Sequence, residues 1–204
     1  KAGTVKITAK TANGKTAVCT VRVYSKTSKI AVKSAGYTLN GNKLYLVVKK
    51  KAALNVTVSP KTAKQGVTYK SNKTYVTVNK KGVVTAKKYN KKPATITITA
   101  KDGKTKKIQV YVVKKAKVNT TLKLKKTKVR FKKKGAEAQI SVKKMTAKTT
   151  SKLTYKVVSG KKYVKVDKYG KLTCKVKPTK KAKTAKVQVT CGKKKATVTI
   201  TMKK

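Results

Sequence analysis

Few side chains in this 204-residue chain could act as a catalytic acid or base. It has no histidine, and its three acidic residues are Asp102, Glu137 and Asp167. They lie far apart in sequence, so a carboxylate pair of the kind that glycoside hydrolysis needs would have to converge from distant turns. Asp102 opens an Asp-Gly turn and Asp167 lies in a similar hairpin, where aspartate is common because it bonds to its own backbone. We therefore predict no catalytic residues and no enzymatic activity.

The cysteines favour neither a disulfide framework nor a metal site. There are three, Cys19, Cys174 and Cys191, and a small odd number is not the pattern of a disulfide-stapled domain. No CxxC pair and no histidine accompany them, so we predict no metal site and no cofactor. Cys174 and Cys191 end two strand-like segments. They either form a bridge or are small buried core residues, and the pattern favours the second interpretation.

Lysine is the dominant side chain. Lysine and arginine total 58 against three acids, which gives a formal net charge of +55, and only Arg22 and Arg130 are arginines. A lysine ammonium is a hydrated point charge suited to solubility and diffuse attraction, whereas arginine gives bidentate recognition of phosphate. So high a charge attracts polyanions in a salt-dependent way, because bound counterions are released. We expect polyanions as partners and no small-molecule substrate.

The densest lysine clusters are the candidate polyanion-binding residues. They are Lys49, Lys50, Lys51, Lys123, Lys125, Lys126, Lys128, Lys132, Lys133, Lys134, Lys161, Lys162, Lys180, Lys181, Lys193, Lys194 and Lys195. For each cluster taken alone, a solvated coat is the alternative interpretation. Tyr163 and Tyr169 flank lysines, as in platforms that stack single-stranded bases. Tyrosine is also an ordinary β-sheet residue, and we favour that interpretation.

The lysines are carried by segments with the pattern of half-buried strands. Between Tyr69 and Val113, three runs alternate apolar and polar residues, as in the sequence ATITITA at Ala94–Ala100. A period of two over four to eight residues is typical of a strand with one buried face. Turn signals such as Asp102-Gly103 separate the runs. The pattern predicts short antiparallel strands, and no segment has the pattern of an α-helix.

The same pattern recurs at a spacing of about 90 residues, the size of a small all-β domain rather than of a solenoid unit. We predict the closing strands of a partial repeat at residues 1–25 and full repeats at residues 26–114 and 115–204. A lone hairpin is marginal in water, so residues 1–25 would either be completed by upstream sequence or pack on the neighbouring copy. We expect the chain to be part of a larger multidomain protein.

These segments resemble the bacterial immunoglobulin-like group 2 family. Its members typically show an SP turn, a VTWSS strand, a VATVDSNGKVTA hairpin, a GTATITATT-DGK hairpin and a closing TCTVTV strand. The corresponding segments here are Ser59-Pro60 and residues 67–69, 76–78, 82–86, 94–100 and 102–104. Residues 1–23 match the closing half of the family pattern even more closely. Two departures are visible. Tyr69 and Tyr155 stand where the family usually has tryptophan, and lysine replaces the usual Asp, Ser and Asn of the surface.

The resemblance implies an all-β chain of tandem immunoglobulin-like β-sandwich domains, of the kind found in bacterial surface and secreted proteins. We therefore expect an extracellular protein, at the bacterial cell surface or secreted, and we find no signal peptide or transmembrane run in the sequence. Together with the lysines, this predicts a non-catalytic stalk or attachment module that binds anionic cell-wall polymers such as teichoic acids. Two alternatives stay open: an adhesin for host polyanions (sulfated or sialylated glycans, extracellular DNA), and an inert spacer.

Overall fold

The computed structural model describes residues 2–37 and 39–204, and these residues form nineteen β-strands and no helix. The strands build two sandwiches and a separate hairpin. One hydrophobic core draws on residues between Ile30 and Val112, and a second draws on residues between Leu124 and Met202. The predicted fold class, all-β with tandem immunoglobulin-like β-sandwich domains, is confirmed.

The first two strands form a hairpin that stands apart from both sandwiches. Strands β1 (Gly3–Lys10) and β2 (Thr16–Val23) pair antiparallel, with Ile7 opposite Cys19. Every residue of both strands is exposed, and no other strand of the described residues pairs with either one. The hairpin strands therefore do not pack on the neighbouring sandwich.

The first sandwich contains eight strands in two sheets. In chain order they are β3 (Lys29–Tyr37), β4 (Lys43–Val47), β5 (Lys51–Ser59), β6 (Val67–Ser71), β7 (Val76–Val78), β8 (Val83–Ala86), β9 (Ala94–Ala100) and β10 (Thr105–Val113). One sheet has the order β3-β5-β8-β7 and the other has the order β4-β10-β9-β6. Strands β4 and β10 run parallel, and the other neighbouring pairs run antiparallel.

Alternation along β9 shows how the sequence forms the first core. Ala94, Ile96, Ile98 and Ala100 are buried, whereas the threonines between them are partly exposed. Burying one isoleucine or valine side chain contributes about 1.5–3 kcal/mol. Because the chain has only three acids, these apolar contacts and the strand ladders have to hold the two sheets together.

The second sandwich contains nine strands. They are β11 (Leu122–Leu124), β12 (Lys128–Phe131), β13 (Glu137–Gln139), β14 (Val142–Met145), β15 (Lys152–Ser159), β16 (Val164–Val166), β17 (Lys171–Cys174), β18 (Lys183–Cys191) and β19 (Lys194–Met202). Its sheets have the orders β12-β19-β18-β15 and β13-β17-β16, and β11 pairs with β14. Strand β12 runs parallel to β19, as β4 runs parallel to β10. Each sandwich therefore has a parallel strand at the edge of one sheet.

The two sandwiches meet through their edge strands β3 and β15. Tyr37 pairs with Lys152 and Gly36 pairs with Leu153, both antiparallel. This pairing joins two sheets into one of order β12-β19-β18-β15-β3-β5-β8-β7. Main-chain hydrogen bonds therefore connect the sandwiches in addition to the covalent linker.

A polar contact lies beside this junction. The ammonium group of Lys33 contacts the side-chain oxygen of Gln139, and the Gln139 amide nitrogen donates to the Tyr169 carbonyl oxygen at 2.8 Å. Burial lowers the pKa of Lys33, and the Asp167 carboxylate opposes that shift. A lysine of the first sandwich thus contacts an uncharged side chain of the second, where Asp167 and Lys171 act on the pKa of Lys33 in opposite directions.

The segment before the first sandwich is hydrogen-bonded to that sandwich. The backbone amide of Thr27 donates to the Asp102 carboxylate at 2.5 Å, and the Lys104 ammonium donates to the Ser28 carbonyl oxygen at 2.6 Å. Thr27 is only 6% exposed. The bond from Thr27 holds the pKa of Asp102 below its ordinary value. Asp102 therefore anchors this segment in addition to opening its Asp-Gly turn.

The linker between the sandwiches is anchored by a fully buried asparagine. The side-chain nitrogen of Asn119 donates to the carbonyl oxygens of Thr121 at 2.8 Å and Cys191 at 3.2 Å. Its side-chain oxygen accepts from the Thr146 amide at 2.9 Å. The Asn119 backbone amide donates to the Ser151 hydroxyl at 2.8 Å. The Asn119 side chain thus ties the linker to two distant segments of the second sandwich, and its backbone amide ties it to a third.

Replacing Asn119 with alanine should destabilise the second sandwich. The change removes three side-chain hydrogen bonds, and each buried group left without a partner costs about 1–3 kcal/mol. We expect the urea midpoint of the second sandwich to fall while that of the first stays unchanged, as followed by hydrogen exchange in each sandwich. The control is Asn90→Ala, at an exposed turn. Equal effects of the two substitutions would contradict the anchoring role.

Stability should depend on pH through Asp102. Because its pKa is lowered in the folded protein, its contribution is present above the unfolded pKa of about 3.9 and is lost as the pH falls through the folded pKa. With no histidine in the chain, we expect a nearly constant melting temperature from about pH 8 to about pH 5 and a fall below about pH 4. Asp102→Asn should flatten this acid limb, and Glu137→Gln is the control. An acid limb that is unchanged in Asp102→Asn would show that another group is responsible.

Candidate functional site

All seventeen predicted lysines are exposed. They occupy turns, strand ends and short connecting segments, so none fills a core. Exposure alone fits both a binding surface and a solvated coat. The two interpretations differ in whether the fold brings separate clusters together.

Two of the clusters meet at the C-terminal end of the second sandwich. The Lys203 amide donates to the Phe131 carbonyl oxygen at 3.3 Å, and the Lys204 amide donates to the Thr179 carbonyl oxygen at 3.1 Å. Phe131 immediately precedes one predicted cluster, and Thr179 immediately precedes another. The end of the chain therefore lies between two lysine runs that are almost fifty residues apart in sequence.

A third cluster, Lys161 and Lys162, lies near the same end of the second sandwich. That end is marked by Lys183, which begins β18 and pairs with Met202 at the end of β19. The ammonium groups of Lys162 and Lys183 lie 5.3 and 5.9 Å from the ring centre of Tyr163. These distances are within the range of cation–π attraction. Tyr163 therefore links the third cluster to the strand end where the other two meet.

We call this set the C-terminal lysine cluster. It consists of Lys132, Lys133, Lys134, Lys161, Lys162, Lys175, Lys180, Lys181, Lys183, Lys203 and Lys204. Lys175 belongs to it because its ammonium donates to the Lys161 carbonyl oxygen at 3.3 Å. Lys175, Lys183, Lys203 and Lys204 were not among the predicted residues. Lys203 and Lys204 are an adjacent pair in sequence, whereas Lys175 and Lys183 are isolated, and only the pairing of distant segments brings them to the others.

The tyrosines beside the lysines are partly buried. Lys162 and Lys183 approach the Tyr163 ring, and the Lys168 ammonium lies 5.4 Å from the centre of the Tyr169 ring. Lysine ammonium groups of the protein itself therefore lie over both rings. Tyr163 and Tyr169 lie in turns before and after β16, outside any strand, so the interpretation as β-sheet residues is wrong.

A second basic site is a groove of about 420 Å³ on the side of the second sandwich. Lys125, Lys126, Lys128 and Arg130 contribute to its lining. The Arg130 guanidinium also donates to the carbonyl oxygen of Lys204 at 3.3 Å, so the groove adjoins the C-terminal lysine cluster. Cations along a concave surface concentrate the field and raise the local concentration of anions.

The remaining predicted lysines lie elsewhere. Residues 49–51 connect β4 to β5 in the first sandwich, and Lys123 lies in β11. Residues 193–195 follow β18 at the end of β19 opposite the C-terminal lysine cluster, where the Lys193 amide donates to the Asn119 carbonyl oxygen at 3.3 Å. The structure thus joins three of the six clusters at one end, places Lys125, Lys126 and Lys128 in the adjoining groove, and leaves residues 49–51 and 193–195 separate.

Little of the positive charge is neutralised within the described residues. The one ion pair among them joins Lys171 to Glu137 at 2.6 Å, with both side chains about half exposed. Exposed pairs of this kind contribute about 1 kcal/mol at most. Nearly all lysine ammonium groups of the described chain are therefore free to meet external anions.

Two of the three acidic residues, Glu137 and Asp167, contact Lys171 in the folded chain. Glu137 pairs with the Lys171 ammonium, and Asp167 accepts from the backbone amides of Lys171 and Tyr169, both at 2.8 Å. Glu137 therefore forms a surface ion pair. Asp167 accepts hydrogen bonds from the backbone of its own turn, as predicted. Among the described residues, no group of three or more His, Cys, Asp or Glu residues could hold a metal ion.

The three cysteines are free thiols. Cys174 and Cys191 lie in the second core, where their sulfur atoms contact the carbonyl oxygens of Val176 and Ser151. Burial raises the pKa of Cys191 to about 11. These positions match the interpretation of small core residues rather than a bridge. Cys19 is exposed on the hairpin.

Comparison with known proteins identifies no family. No protein-family model matches the chain, and no curated protein matches it significantly. Among solved structures, S-layer protein SbsC domains 5–6 is 20% identical, with 86% of this chain and 97% of that chain covered and a TM-score of 0.43. Chicken VE-cadherin EC1-2 is 12% identical, with 79% and 97% covered and a TM-score of 0.32.

The chain also matches a longer fragment, SbsC domains 4–9, with 19% identity and a TM-score of 0.40. The match covers 98% of this chain and 35% of that fragment, so the chain spans about a third of its length. Likenesses at these identities and TM-scores carry no inference about function. In the described residues, no helix has the length and apolarity needed to span a bilayer.

The reactivity of the three thiols tests directly whether Cys174 and Cys191 are buried and unpaired. Cys174 is 1% exposed and Cys191 is 0% exposed, so we expect one thiol per chain, Cys19, to react with a water-soluble disulfide reagent in the native state. Unfolding in denaturant without a reductant should release three reactive thiols. If only one thiol reacted after unfolding, a Cys174–Cys191 bridge would be present.

Proposed function

We propose that this chain is a non-catalytic, cationic stalk and attachment module of a bacterial extracellular protein, built from immunoglobulin-like domains of the group 2 type. Its ligands are anionic polymers of the cell wall, such as teichoic acids. The resemblance in sequence supports the family and the location, and the chemistry of the surface supports the ligand class.

The convergence of separate lysine runs into the C-terminal lysine cluster carries the proposal. Lysines that serve only solubility do best when spread out, because like charges repel. Here the pairing of β18 with β19 and the path of the chain end gather them at one end of a sandwich. Phosphate groups of a bound polymer would relieve that repulsion and release counterions.

The cluster suits a flexible polymer better than a small ligand. Its ammonium groups are carried by long side chains on turns and strand ends rather than by a rigid pocket. Lysine also imposes no bidentate geometry on an anion. The groove lined by Lys125, Lys126 and Lys128 extends the same surface along the side of the sandwich. Many weak contacts along one polymer then add up through multivalency.

A charge-matched pair of variants tests whether the cluster or the total charge binds. The cluster variant changes seven lysines to glutamine: Lys132, Lys133, Lys134, Lys161, Lys162, Lys180 and Lys181. The control changes seven exposed lysines of the first sandwich: Lys61, Lys64, Lys70, Lys80, Lys81, Lys101 and Lys106. In sedimentation with purified Gram-positive walls at about 0.15 M salt, we expect the cluster variant to bind about 10-fold more weakly and with a shallower salt dependence. The control should bind nearly as well as the parent chain.

The other outcomes separate the alternatives. Equal losses in both variants, or equal binding to walls with and without teichoic acid, would mean that the lysines act as a generic coat. Strong binding to heparin or DNA with weak binding to walls would favour an adhesin for host polyanions. No binding to any polyanion at about 0.15 M salt would leave an inert spacer.

A further inference from the structure

The hairpin carries an apolar face that none of the described residues covers. Ile7 lies opposite Cys19 and Val5 lies opposite Val21. Because side chains alternate along a strand, these residues share one face. Val5 and Ile7 are each 57% exposed, and Val21 is 38% exposed. A contiguous apolar surface of this kind on an otherwise charged protein indicates an interaction site.

The first sandwich contains the equivalent hairpin in covered form. In β9 and β10, Ile96 lies opposite Ile108, and both residues follow Ile7 and Cys19 by 89 positions (96 − 7 and 108 − 19). Ile96 is 0% exposed and Ile108 is 1% exposed. They pack in one core with residues of β3, β5, β7 and β8. The edges are also paired, β10 with β4 and β9 with β6.

We propose that the apolar face of β1 and β2 docks a strand set equivalent to β3 to β8, so that the hairpin closes a third sandwich. The partner is a polypeptide segment of defined chemistry. It has short alternating strands with one apolar face, and it lacks a closing hairpin of its own. This inference concerns assembly of the array and does not depend on the ligand proposed above.

A second copy of this chain is a poorer partner. Both of its sandwiches already contain their closing hairpins, so the free apolar sheet that its described residues offer is another β1-β2 hairpin. Each copy carries a net charge of +55, and Lys6, Lys10 and Arg22 on the hairpin add to the repulsion between copies. A second hairpin also brings no equivalent of the sheet β3-β5-β8-β7.

The hairpin already has the connection that such a unit needs. Strand β2 ends at Val23, and the Ser25 amide donates to the Thr62 carbonyl oxygen of the first sandwich at 3.1 Å. Likewise β10 ends at Val113, and the Lys117 amide donates to the Thr150 hydroxyl of the second sandwich at 2.8 Å. A third sandwich closed by the hairpin would therefore be joined to the first by a short, hydrogen-bonded linker.

Cys19 reports directly on docking, because its equivalent, Ile108, is buried. We would extend the full chain by placing a duplicate of residues 26–89 directly before Lys1, since residue 90 is the 89-residue equivalent of residue 1. In the extended chain we expect Cys19 to react with the thiol reagent about 100-fold more slowly, with matching protection of the amides of residues 3–23. The control is the same extension with Ile7→Asp, which places a charge on the docking face. Its Cys19 should react as fast as in the parent chain.

Two results would overturn the proposal. One is unchanged Cys19 reactivity in the extended chain. The other is protection of Cys19 in the parent chain that grows with protein concentration, because a second copy would then be the partner. If the extended chain does not fold, a second variant tests the proposal. In this variant, the sequence of residues 5–23 replaces residues 94–112 of the first sandwich. The proposal expects this chimera to unfold cooperatively, and a chimera that is unfolded would refute it.

Discussion

Repulsion among the lysines is the constraint on which the rest of this structure depends. With a net charge of +55 and one exposed ion pair in the described chain, electrostatics oppose compaction nearly everywhere. The free energy that holds each sandwich must come from burial of Val, Ile, Leu and Ala and from strand ladders. Alternation satisfies both demands, because it directs one face of each strand to the core and leaves the other to lysine and threonine.

The junctions follow the same logic. Where segments of a chain this basic must meet, the structure uses backbone pairing and uncharged side chains in place of salt bridges. Asn119 bonds two distant segments through its side-chain amide, and β3 joins β15 through the main chain. The exceptions are Asp102, whose carboxylate accepts from the backbone amide of Thr27, and the ammonium groups of Lys33 and Lys104, which donate to Gln139 and to the Ser28 carbonyl oxygen. An acid is thus placed at a linker, where it bonds to the main chain rather than neutralising a lysine.

The sequence predicts the strands and the fold class because the period-two pattern and the turn residues are local signals. The buried set Ala94, Ile96, Ile98 and Ala100 follows directly from that pattern. Asn119 could not be predicted as an anchor, because an asparagine in a short linker carries no periodic signal and two of its three side-chain partners lie 27 and 72 residues away. The C-terminal lysine cluster could not be predicted for the same reason. The separate lysine runs are visible in the sequence, but their convergence depends on the pairing of β18 with β19.

The repeat relates the charge at one end of a sandwich to the binding that we propose for a tandem array. In the second sandwich, the Lys175 amide donates to the Tyr163 carbonyl oxygen at 2.8 Å, and in the first, the Lys87 amide donates to the Tyr75 carbonyl oxygen at 2.9 Å. The two sandwiches therefore build the same local frame, and each places exposed lysines around it. On the proposed function, a cationic end would recur once per domain. A long polyanion held by one such end would be kept near the next, so we expect its affinity to rise with the number of sandwiches, whereas a short anion gains nothing from the repeat.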